Sequence, residues 1–150
     1  MSHFPDTSFL CALYREEEHS PLADQWMKKL SEGLKVSNLL LLEFRQSVRL
    51  QIWLHRENPK KGFSKSQGER MLQDLQSDLH SGVLSIISIE WAQVHEIAER
   101  VSSKYTLLEG YRFADILHVA TAIHVGATQF LSFDLKQQKL AKAEGLKVTW

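Results

Sequence analysis

Residues 111–134, YRFADILHVATAIHVGATQFLSFD, decide how the rest of the chain is read. They read as an amphipathic helix with a stop at Gly126, a short apolar strand, and Asp134 where the strand ends. A helix feeding a strand in this way is the repeating unit of an α/β fold. The edge outside the strand ends is where open α/β sheets usually carry their ligands. Asp115 lies inside the helix among Phe113, Ile116, Leu117, Val119 and Ala120, where a carboxylate is costly to bury without a partner. Two acids so placed point to an acidic site with members elsewhere in the chain.

Working outward, residues 135–144 read as a last helix ended by Gly145, with a closing strand over 146–150. Upstream, 90–104 is an amphipathic helix and 83–88 a strand rich in β-branched residues. Ser64 and Gln67 form a capping box that opens a helix to about His80. Before it, NLLLLEFRQSVRLQIWLHRENP is a long helix starting at Asn38 and stopped by Asn58-Pro59, its apolar opening interrupted by Glu43. Ser47, Leu50 and Leu54 share the face of Glu43, whereas Arg45, Arg49 and Arg56 cluster on another. Glu43 is therefore either an edge residue with its head in water or the partner of a group from elsewhere. Residues 34–37 read as a strand, 20–30 as a helix with Ser20 as cap and Pro21 at its first position, and 3–5 as a weak strand. Asp6 follows that strand and, from its own segment, reads as the N-cap of a helix through Phe9, Leu10, Leu13 and Tyr14. Four or five short strands separated by helices imply an α/β protein with a mostly parallel sheet covered on both faces.

At 150 residues the chain fits one domain over 1–150. The single cysteine, Cys11, excludes a disulfide framework and fits a reducing cytosol. The start, MSHFPDTSFL, lacks the basic and apolar regions of a signal peptide, and no apolar run reaches membrane-spanning length. The expectation is a soluble cytoplasmic protein with no membrane contact. A formal net charge of zero argues against nucleic-acid binding by bulk attraction. Between Arg45 and Arg70, however, seven Lys/Arg stand against two acids, which makes that segment a candidate basic face.

Asp6, Glu43, Asp115 and Asp134 thus stand out by position. Carboxylates meeting at one sheet edge must be protonated, paired with cations or bound to a metal. An oxygen-only set favours Mg²⁺ or Mn²⁺ over Zn²⁺. The histidines show no zinc spacing, and His118, one turn from Asp115, reads as a core or supporting residue. No GxxxxGK[ST], GxGxxG or GxSxG occurs, which removes glycine-loop nucleotide binding and the nucleophile elbow. Cys11, between Leu10 and Ala12, reads as core.

PDTSFL, the glutamate of VSNLLLLEFRQS, RFADILHVATA and LSFD followed by a short helix resemble the PIN-domain nucleases, across almost the whole chain and closest to the bacterial VapC-type toxin branch. The resemblance implies a three-layer α/β/α fold that binds Mg²⁺ or Mn²⁺ and hydrolyses phosphodiester bonds, usually in RNA. It assigns Asp6, Glu43, Asp115 and Asp134 to the acidic site, with Asp6 and Asp115 the firmest ligands. Ser8 matches a supporting hydroxyl, and Ser132 stands where the family commonly has Thr. Glu43 or Asp134 would also orient or deprotonate the attacking water. Arg112 is a phosphate contact or an i,i+3 ion-pair partner of Asp115. Arg45, Arg49, Lys60 and Lys61 would track a substrate strand. Partners implied are an RNA substrate, a small antitoxin and a second copy in a homodimer. The alternatives are a PIN-like module that binds RNA or protein without cleavage, and a nuclease acting on DNA or in RNA processing.

Overall fold

Helices and short parallel strands alternate along residues 2–150, which the computed structural model describes. In chain order they are β1 (His3–Pro5), α1 (Thr7–Tyr14), α2 (Ser20–Lys29), β2 (Leu34–Val36), α3 (Asn38–Glu57), α4 (Lys65–Ser81), β3 (Leu84–Ile86), α5 (Trp91–Glu109), α6 (Phe113–His124), β4 (Gln129–Leu131), α7 (Leu135–Ala143) and β5 (Lys147–Val148). Every strand pair among them is parallel. The chain divides into two compact units: the N-terminal segment through Phe9 together with Ile87–Trp150, and Leu10–Ile86.

In the first unit the sheet order is β1-β4-β5, with Phe4 opposite Phe130 and Pro5 opposite Leu131. Phe4, Phe130 and Leu131 are fully buried, and each such side chain contributes about 1.5–3 kcal/mol of burial. α6 packs against β1, α5 and α7. Every residue from Asp115 to Ala122 is buried, so α6 is a core helix with almost no solvent face. Its stop is built as read from the sequence: Gly126 adopts φ +69°, and the Ala127 amide closes onto the Ala122 carbonyl.

In the second unit β2 pairs with β3 and α3 packs on α4. Leu40, Leu41, Phe44 and Val48 of α3 are buried, and so is Leu75 of α4. The capping box at Ser64 and Gln67 is present in both halves. The turn before it is held tightly. Gly62 has φ +60°, and a Cβ there would lie 2.0 Å from the Gln51 carbonyl oxygen, so only glycine fits.

Several boundaries differ from expectation. Ser20 is not the cap of α2, because its hydroxyl donates to the Arg15 carbonyl and accepts from the Glu17 amide; His19 takes the cap position. Ser37 ends the second strand early by capping α3, accepting from the Leu40 amide. α5 runs on from Lys104 to Glu109, where Gly110 at φ +69° ends it. Its last turn carries exposed Leu107 and Leu108, so no apolar periodicity marked it. No described helix is long and apolar enough to cross a membrane.

Candidate active site

β1 and β4 end side by side, because the Asp6 amide extends the ladder by donating to the Leu131 carbonyl at 3.0 Å. That register sets Asp6 beside Ser132. The Ser132 hydroxyl donates to Asp6 Oδ2 at 2.5 Å, and the Ser8 hydroxyl donates to Oδ1 at 2.6 Å. The Phe9 amide also donates to Oδ1, at 3.0 Å, so Asp6 caps α1 as its segment implied. Each serine oxygen accepts in return: Ser8 from the Phe133 amide at 2.9 Å, Ser132 from the Asp134 amide at 3.0 Å. The two hydroxyls therefore tie the N-terminal acid to the segment carrying the C-terminal one.

Asp6 is fully buried. Burial pushes its carboxyl up from 3.8 to about 6, against the lowering pull of Ser132, Ser8, the Phe9 amide and the nearby His118. His118 is itself buried, with Nε2 3.4 Å from the Thr7 hydroxyl. This agrees with its reading as a supporting residue and brings α6 to the end of β1. Asp115 lies one turn earlier on the same side of α6. Its side chain is nearly buried, and Arg112 Nε stands 3.5 Å from its Oδ2. The ion pair is thus formed, but the arginine side chain is 82% exposed and remains open to water. Asp134 caps α7, its Oδ1 accepting from the Lys136 amide at 2.8 Å and the Gln137 amide at 3.1 Å.

Glu43 belongs to the Leu10–Ile86 unit, half-buried on α3. One turn on, Ser47 accepts from Arg15 at 2.5 Å, which brings a cation from outside the helix to that face. The cations expected to act together are divided. Arg45, Arg49 and Arg56 fall on one side of α3 at about 100° per residue. The turn with Lys60 and Lys61 packs on the opposite side, at Gln51 and His55, with the Lys61 carbonyl 3.0 Å from His55 Nδ1.

Sequence reasoning missed Gln138, whose buried Nε2 donates to the Ser132 carbonyl at 2.7 Å. The available signal was a polar residue one turn before the buried Ala141 on α7. It also missed the stack of Phe9, Phe133 and Trp150, with Phe133 and Trp150 centroids 4.3 Å apart. Nothing local in the sequence links Phe9 to Trp150.

The donor chemistry around Asp6 and Asp115 suits a hard divalent cation: two buried carboxylates on adjoining elements, one raised by burial. Among the described residues no three His, Cys, Asp or Glu side chains converge closely enough to hold an ion. Asp6, Asp115 and Asp134 all belong to the first unit.

Residues 3–143 match the PIN domain. The chain belongs to the PIN domain family. Its structure resembles VapC20 of Mycobacterium tuberculosis, described as a sarcin–ricin loop cleaving toxin, with a TM-score of 0.67 at 21% identity over 99% of this chain and 100% of that one. It also resembles VapBC2 of Rickettsia felis, in a structure bound to a promoter DNA fragment, with a TM-score of 0.67 at 16% identity over 99% and 98%. A third likeness is to FitAcB of Neisseria gonorrhoeae, with a TM-score of 0.62 at 16% identity over 99% and 96%. At these identities the likeness establishes the PIN fold. No curated protein matches the chain in sequence.

Proposed function

We propose that this PIN-domain chain is a Mg²⁺- or Mn²⁺-dependent endoribonuclease and the toxin half of a toxin–antitoxin pair. The observation that carries this reading is the pair of buried aspartates, Asp6 and Asp115, on neighbouring elements of a PIN fold. Asp6 and Asp115 would hold the cation, with Asp134 and Glu43 as the further acids. When bound, the cation supplies charge neutralisation at the phosphate and a lowered pKa for the attacking water. The protein's own part is orientation. Ser8 and Ser132 each donate a hydrogen bond to Asp6, which fixes both carboxylate oxygens. Gln138 holds the Ser132 backbone behind them. Arg112, at the N-cap of α6, presents an exposed guanidinium for a substrate phosphate. The RNA substrate and the antitoxin partner are supported by the PIN fold shared with the sarcin–ricin loop cleaving VapC20 and with VapBC2.

The test is hydrolysis of cellular RNA by the purified protein. Cleavage is expected with Mg²⁺ or Mn²⁺, none in EDTA, and background activity for Asp6→Asn. Full activity after rigorous chelation would exclude the metal role. The alternative is a PIN module that binds RNA without cutting it. Saturable RNA binding without cleavage in either cation would decide for it.

A further inference from the structure

α3 carries a surface that the acidic site does not use. Arg45, Arg49, Trp53 and Arg56 recur at spacings of four, four and three residues, which sets them along one side of the helix. From the first to the last is about 16 Å at 1.5 Å per residue. Arg49 and Arg56 are exposed and Arg45 is half-buried. Trp53 lies between the two exposed arginines with 49% of its surface open. An indole so exposed leaves unfavourable apolar area in water that a stacked partner would cover. On the helix itself Glu57 stands beside this stripe, 3.4 Å from Arg56. Both members of that pair are exposed, so water and salt screen it. The turn with Lys60 and Lys61 packs on the other side of the helix and is not part of this surface.

We propose that this side of α3 binds single-stranded RNA, with one unpaired base stacked on the Trp53 indole and neighbouring phosphates on Arg49 and Arg56. The inference rests on the ribonuclease reading and names a further surface that holds its substrate. An aromatic face flanked one turn each way by guanidinium groups matches the alternation of base and phosphate along a single strand. A duplex keeps its bases stacked inside, and the deep, narrow major groove of A-form RNA does not admit a helix. The surface therefore selects unpaired segments. Stacking on Trp53 accepts any base, so it contributes affinity with little sequence preference.

The experiment measures binding of a labelled single-stranded oligoribonucleotide, and of the same strand annealed to its complement, to the full chain in EDTA. Trp53→Ala is expected to weaken single-strand binding about 5- to 100-fold, with the salt slope unchanged and duplex binding unaffected. Trp53→Phe should recover most of the loss, because it keeps a stacking face. Arg49→Ala and Arg56→Ala should each lower the log–log salt slope by about 0.7. Unchanged single-strand affinity in Trp53→Ala, or an equal loss for strand and duplex, overturns the proposal. So does light scattering that finds a dimeric parent and a monomeric Trp53→Ala, since a second copy then covers this side. Cleavage of RNA by the parent in Mg²⁺, scored in parallel, separates the two readings: a parent that cuts while Trp53→Ala binds normally loses only the stacking surface. A parent that neither binds nor cuts overturns the ribonuclease as well.

Discussion

Asp6 does two jobs that ask for different environments. As a cap it is satisfied by an amide and two hydroxyls, yet complete burial holds its carboxyl near 6 rather than 3.8. For an acid raised in the folded state, the stability contribution is fully present below about pH 4 and is lost as pH rises through about 6. Metal-free protein should therefore gain stability from this group on acidification from pH 7 towards 5. At about 1.4 kcal/mol per pKa unit the full effect is a few kcal/mol. Asp6→Asn should abolish that part of the pH dependence and melt at or above the parent temperature in EDTA at pH 7. Thermal melts of both proteins across that range check it, and parallel pH curves would show that Asp6 is not the group responsible. Asp115 is tested through its neighbour. Arg112 is exposed, so Arg112→Ala should cost no more than about 1 kcal/mol. Asp115→Asn should be level or more stable in EDTA and should lose the stabilisation that Mg²⁺ gives the parent by mass action. A drop of about 3–5 kcal/mol in EDTA would instead make Asp115 a structural anion.

At the scale of elements, α3 and α4 depend on the turn between them. Gly62 meets the backbone of Gln51, which cannot swing aside as a side chain could, and its φ is left-handed. Gly62→Ala should destabilise by about 1–3 kcal/mol, more than the cost of about 1 kcal/mol for removing the cap hydroxyl by Ser64→Ala. Urea denaturation of the two variants ranks them, and a smaller effect at Gly62 would mean that the turn relaxes away from α3. The elements around the acids differ in character. α6 is buried from Asp115 to Ala122, mostly through apolar side chains, whereas the ends of β1 and β4 are joined by serine hydroxyls. Ser132→Ala, which takes the hydroxyl partner from Asp6 Oδ2 and from the Asp134 amide, should therefore lower stability by about 1–3 kcal/mol in a urea melt as well as reduce activity.

At the scale of the whole molecule, net charge is zero while the candidate site is acidic and the exposed side of α3 is basic. A basic peptide tail suits the first surface and nucleic acid the second. The protein is expected to form a homodimer and to bind a small antitoxin whose tail occupies the acidic site. Light scattering on pure protein and a pull-down from the native host are the measurements. A strict monomer that captures no small partner would argue against the toxin assignment while leaving the nuclease untouched.

The alternation of helix and strand, the parallel strands and the place of α6 were legible in the sequence, because each rests on local periodicity and punctuation. The burial of α6 almost all round, where an amphipathic helix was expected, was not. Gly126, the Ser64–Gln67 box and Asn58-Pro59 act within a few residues of themselves. The acids could be picked out for the same reason, each being a charge interrupting an apolar run or ending a strand. Partnership was not legible. That Ser132 serves Asp6 and that Phe9 stacks with Trp150 depend on how the strands come together, which joins residues more than 120 positions apart. The division of the basic segment into two sides of α3 likewise follows from where one glycine turn packs. Helical spacing lies in the sequence, but the direction in which a chain folds back is decided by van der Waals exclusion in three dimensions.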